Sequence, residues 1–316
     1  MEIWIAAGDE TGGWDIVDGG FDTEFIGLAW VLGPMSVWEL ALQMPIGSST
    51  ALAAFSQPIK SRLPTGLQLP FNSSKYHLMD IWGYCKRKKL CGDVELDKEQ
   101  EDPVLELLRQ DAAWLLKTSG LGVLTTGGNA ADAKAAGLGL SGDGLRERAR
   151  AFAGLMTVAL PFFPADSRLN LLVEGRTELD IADAVKANRF SDASAGRTDR
   201  IRYSEPYRDF VGRLREDLVR SSERSLEAVT EGSLISDFFC VGKKELSRYI
   251  SQSARDVPFI KSRAEEAVSA MNGIADLAAA LIPREDNSIC RIVVPSNLSK
   301  NYWTGNFREL RHALQQ

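Results

Sequence analysis

Lysine and arginine are missing altogether from the first 59 residues of this 316-residue chain, which carry eight carboxylates instead. Against a formal charge of −6 for the whole chain, the remaining 257 residues therefore sum to +2. The acidic N-terminal stretch cannot itself grip a polyanion. Paired with basic stripes elsewhere, it suits a protein that holds cations and a polyanion together. Those stripes are Lys86-Arg87-Lys88-Lys89, Arg146/Arg148/Arg150, and Arg197/Arg200/Arg202 running on to Arg213/Arg215. Such runs are also what an ordinary solvated face looks like.

Other shortages exclude whole classes. Four cysteines are too dilute for a disulfide scaffold, and the five residues between Cys85 and Cys91 do not match structural zinc spacing. All four read as free thiols in a reducing cytoplasm. The longest nearly apolar stretch, Gly154 to Ala165, is too short to span a membrane and is broken by Pro161 and Pro164. The opening residues carry an acid and no basic cluster, so they do not read as a secretory signal. No internal repeat, coiled-coil heptad or Walker loop is present. Gly137-Leu-Gly-Leu-Ser-Gly142 has dinucleotide-fingerprint spacing, but Ala-rich helical sequence precedes it where a strand is required.

What is present reads as α/β. Residues 2–8 and 24–32 predict two strands joined by a Gly/Asp-rich turn, and 36–44 fits a strand or a short helix. Residues 45–74 predict a loop or flap, and 76–84 a short aromatic-rich helix. Glu101-Asp102-Pro103 opens a clear helix that stops before Gly120, and strands are expected at 121–126 and 168–175. Helices are expected at 130–136, 145–160, 177–190 and 205–221. The clearest helix lies between Val257 and Ile282 and ends at Pro283. A late strand over 290–294 and a short helix near 305–314 close the chain.

Three acids occupy unusual positions. Asp9, followed at once by Glu10, ends the first strand, and Glu174 ends a later one. Such an acid is either part of a solvated turn or a metal ligand on the wall of a core. Asp276 is the only ionisable side chain between Glu266 and Arg284. In so apolar a helix it is expensive unless paired or ligating. The helical wheel puts it off the main apolar stripe, yet Leu277, Ala279 and Ala280 make that end apolar nearly all round.

The order of these pieces resembles the ribonuclease H-like fold, in which carboxylates from the first strand, the fourth strand and a C-terminal helix converge on divalent metal. Locally, Asp9-Glu10-Thr11-Gly12, His77 in "YHLMD" and Ile274-Ala275-Asp276-Leu277-Ala278 resemble the bacterial domain of unknown function 3800 family. The resemblance covers about half the chain and leaves out 45–74, 177–258 and 284–316. Thr11 stands where that family usually has Ser, and Asn272/Gly273 where a Gln often precedes Ala-Asp. The family often has Asp where Glu174 stands, which leaves Asp180 and Asp183 as substitutes.

The resemblance implies a ribonuclease H-like mixed β-sheet flanked by helices, with its first part in 1–176 and a mostly helical insertion over 177–258. The core C-terminal helix would be 259–283, and 284–316 an extension. It implies a cytoplasmic metal-dependent nuclease holding Mg²⁺ or Mn²⁺ through Asp9, Glu10, Glu174 and Asp276. Phosphodiester hydrolysis needs an activated water and a neutralised leaving oxygen, which two such ions bridged by carboxylates supply. His77 would act as acid, base or phosphate contact, with Asp80 orienting its ring, unless it is a plain core or surface histidine. Lys86, Arg87, Lys88 and Lys89 would contact the nucleic acid. The alternative is a catalytically inactive nucleic-acid-binding or scaffold subunit on the same fold, with room for a protein partner and no membrane.

Overall fold

A computed structural model describes residues 2–18, 20–21, 23, 25–47, 49–56, 103–157, 168–173, 213–214, 216–218, 237–241, 243–253, 256–280 and 304–306. The chain begins with strand β1 (Ile3–Thr11), a minor hairpin of β2 (Ile16–Val17) and β3 (Gly20–Phe21), and β4 (Phe25–Pro34). Helix α1 (Met35–Gln43), a second minor hairpin of β5 (Pro45–Ile46) and β6 (Ser49–Thr50), and α2 (Ala51–Ser56) follow. Then come α3 (Pro103–Thr118), β7 (Gly122–Asn129), α4 (Ala130–Ala135), α5 (Gly144–Thr157) and β8 (Arg168–Val173). The last described elements are β9 (Asp237–Val241), α6 (Lys243–Ser253), α7 (Pro258–Ser262), α8 (Ala264–Ala280) and β10 (Thr304–Asn306).

Six strands form one mixed sheet in the order β10-β7-β4-β1-β8-β9. β1 and β7 both run antiparallel to β4, while β8 runs parallel to β1 and β9 parallel to β8. The central strands read as near-continuous apolar runs because both faces of the sheet are covered. Alternation then sorts their side chains. Ile5, Ala7, Ala29, Val31, Val123 and Leu172 pack with α1, α2, α3, α6, α7 and α8. Ala6, Leu28, Trp30, Leu124, Leu171 and Val173 pack with α4 and α5 on the other face. The molecule is a mixed α/β sheet flanked by helices.

Several elements depart from the expectations. The ambiguous segment after β4 is helix α1, because Met35, Trp38, Ala41 and Leu42 form one buried stripe. Part of the expected loop is the β5/β6 hairpin and α2; nearly all of α2 is buried, so its apolar content serves packing. Residues 237–253, expected within a helical insertion, instead supply edge strand β9 and α6. The Phe-Phe-Cys-Val of β9 is β-prone, but too short a run for its period to announce it. Residues 304–306, expected to begin a helix, pair with β7. The long C-terminal helix is two helices, interrupted at Arg263 (φ −132°).

The junction at α7 has its own support. Glu39 of α1 accepts hydrogen bonds from the backbone N–H groups of Phe259 (2.9 Å) and Ile260 (2.8 Å), whereas Val257 offers α7 no side-chain cap. A remote carboxylate thus does the work of an N-cap. Glu39→Ala should lower stability by about 1–2 kcal/mol in urea denaturation, as loss of a cap does. An unchanged midpoint would mean that the contact contributes nothing.

Candidate metal centre

β1 runs past Asp9 to Thr11, so Asp9 lies inside the strand and not at its end. Ile5 and Ala7 face the layer that contains α8, and alternation puts Asp9 on that same face. Its cross-strand partner Ala29 belongs to that layer, and Ala29 in turn pairs with Thr125 of β7. A row of Asp9, Ala29 and Thr125 therefore crosses the sheet, with buried Thr125 two strands, or about 10 Å, from Asp9.

α8 packs on β1 and β4 and is enclosed by α2, α3 and α6. That enclosure explains why Asp276 is buried although it lies off the main stripe: from Ala270 through Ala279 every residue of this helix is buried. Asp9 and Asp276 are each 8% exposed, on one side of the sheet, despite lying 267 positions apart in the chain. One Asp9 oxygen, Oδ1, accepts from the backbone N–H of Glu10 at 2.8 Å. Neither acid is an isolated charge, since both interact further within the protein. Asn272, also buried, stands one helical turn before Asp276 and so shares its side of the helix.

Glu10 belongs elsewhere. Alternation sends its side chain to the opposite face, where it forms an ion pair with Arg148 of α5. The adjacent acids that read as two ligands are therefore separated by the sheet itself, and Glu10 is not grouped with Asp9 and Asp276. Gly12 follows for a conformational reason: its φ is +82°, and a Cβ there would lie 2.0 Å from the Phe25 carbonyl oxygen.

The basic stripes are also partly committed. Arg148 holds Glu10, Arg150 donates to the Gly137 carbonyl at 2.9 Å, and Arg213 pairs with Asp143. Burial pushes the Asp143 carboxyl up, but the Arg213 guanidinium and backbone N–H groups outweigh it and hold the pKa below the ordinary value. These arginines serve the fold. Trp14 is buried and edge-on to Phe21, with ring centroids 5.6 Å apart.

Glu174, His77, Asp80, Asp180, Asp183, and Lys86, Arg87, Lys88 and Lys89 lie outside the described residues. Among the described residues, no three His, Cys, Asp or Glu side chains group so as to hold a metal ion. Two of the expected ligands, Asp9 and Asp276, thus share a layer, one is displaced, and one is not described. No helix among the described residues is long and apolar enough to cross a membrane. In comparisons with known proteins, no family model, curated protein or solved structure matches the chain.

Proposed function

We propose that the chain is a metal-dependent nuclease of the ribonuclease H-like class, with Asp9, Glu174 and Asp276 as the carboxylates that hold Mg²⁺ or Mn²⁺. The observation that carries this reading is the burial of both Asp9 and Asp276 on one side of the sheet, Asp9 on β1 and Asp276 on the helix packed against that strand. Strand pairing adds to it. β8 lies parallel to β1 up to the Gly8–Val173 pair, and in the sequence the next residue of each segment is an acid, Asp9 or Glu174. An all-oxygen donor set of this kind fits hard divalent cations and not zinc or copper. Bound there, such ions supply an activated water and charge neutralisation at the scissile phosphate. Asp9 and Asp276 would contribute oxygen donors from a largely water-excluded layer. His77 is assigned to proton transfer or phosphate contact, with Asp80 orienting it.

The test is a cleavage panel over single-stranded, double-stranded and hybrid substrates with Mg²⁺ or Mn²⁺. Cleavage that chelator abolishes supports the reading. Binding without cleavage favours the inactive nucleic-acid-binding subunit.

The substrate grip is assigned to Lys86-Arg87-Lys88-Lys89. Replacing all four with Ala should weaken binding of every sequence alike and flatten the salt dependence by about 0.7–0.9 per lost phosphate contact. Metal affinity should stay unchanged. Parental affinity and slope in the quadruple variant would show the run to be a solvated face.

A further inference from the structure

The paired acids of β1 divide their labour across the sheet. We propose that the Glu10–Arg148 ion pair is a positioning device for Asp9: it clamps Glu10 to α5 on one face and so fixes the peptide N–H that holds the Asp9 carboxylate on the other. This rests on the metal-site reading for its purpose and on two side-chain contacts for its geometry. Arg148 donates through Nη1 to Glu10 Oε1, and the Glu10 backbone N–H donates to Asp9 Oδ1 at 2.8 Å. The two side chains are only 15% and 22% exposed, so the pair is partly shielded from the water that weakens surface ion pairs.

The clamp acts where the strand needs support. Among the described residues β1 is held on both sides only up to Gly8, where its pairing with β8 stops at Val173. Asp9, Glu10 and Thr11 pair with β4 through Ala29, Leu28 and Gly27, and among the described residues with no second strand. A strand held on one side twists and breathes more freely than one held on both. α5 is itself anchored, because the Phe152 carbonyl, one helical turn after Arg148, accepts from Trp30 Nε1 of β4 at 3.1 Å. Arg148 therefore transmits to β1 the rigidity of a helix tied to the neighbouring strand. Its planar fork suits that role better than a flexible ammonium does.

The experiment measures two quantities on the full chain: Mn²⁺ affinity, with the metal alone, and hydrogen exchange of the Glu10 amide in the metal-free protein. Arg148→Met and Glu10→Gln should each weaken Mn²⁺ binding by about tenfold, the lower end of what outer residues of metal sites contribute. The double variant should lose no more than either single one, since both changes break one device. In the metal-free protein the Glu10 amide should exchange faster in Arg148→Met, and Arg148→Lys should restore part of its protection.

Two outcomes overturn the proposal outright, and a third leaves the decision to amide exchange. A Glu10→Gln loss far larger than that of Arg148→Met makes Glu10 a ligand. Lowered melting temperatures with unchanged Mn²⁺ affinity and amide protection make the pair merely structural. Should the parent protein bind no Mn²⁺, the metal reading falls alone, and amide exchange decides the clamp: unchanged protection in Arg148→Met rejects it, and faster exchange upholds it.

Discussion

Asp9→Asn and Asp276→Asn are each expected to lower metal-dependent cleavage by about 10³-fold while leaving the metal-free protein as stable as the parent or more so. The amide keeps the shape of the carboxylate and removes its charge. If each acid contributes about 4 kcal/mol to holding and orienting the metal ions, its loss corresponds to about three decades in rate. Stability should move the other way. Both acids are buried on one side of the sheet, where a carboxylate carries a desolvation cost that an amide of the same shape avoids. Steady-state cleavage with Mn²⁺ and thermal melting in chelator, run on the same preparations, separate the two effects. A drop in melting temperature in both variants, with cleavage reduced only in proportion to the unfolded fraction, would assign the acids a structural role.

Trp30→Ala should be the most destabilising single change in the opposite layer, by about 3–5 kcal/mol. Trp30 is fully buried, stacks edge-on against Phe152 with centroids 4.9 Å apart, and donates Nε1–H to the Phe152 carbonyl. Removing it deletes a large core side chain and one buried hydrogen bond to the Phe152 carbonyl. The same ring explains Gly8, one residue before Asp9: a Cβ there would lie 2.6 Å from Trp30 Cε3 and Cζ3. Gly8→Ala alone should therefore destabilise by about 1–3 kcal/mol through overpacking. In the double variant the added methyl meets space that the indole has vacated, so the combined loss should fall short of the sum. Urea denaturation of the four proteins checks this. Strict additivity would mean that the ring and the glycine are not in contact.

How far the sequence was readable varies by element, for physical reasons. β1, β4 and α8 announce themselves because their apolar periodicity is long and their packing demands agree with it. β9 and β10, of five and three residues, are too short to carry a period and owe their existence to the strands beside them. Asp276 was readable as an anomaly, whereas its burial depends on neighbours that no helical wheel contains. The Asp9-Glu10 pair contained a signal that adjacency obscured. Consecutive strand residues face opposite ways, so period two alone separates them, but Arg148 lies 138 positions from Glu10 and only the fold pairs them. Glu174, His77 and the Lys86–Lys89 run enter the account through sequence alone.

The central claim is that acids distant in the chain share one divalent-cation site, and a titration of Mn²⁺ followed by the electron paramagnetic resonance of the free ion tests it most directly. The parent protein, Asp9→Asn, Glu174→Gln, Asp276→Asn and the triple variant are compared in the absence of substrate. The account predicts saturable binding by the parent, a loss of about tenfold or more in affinity for each single variant, and no site in the triple variant. Equal Mn²⁺ binding by the parent and the triple variant would contradict it.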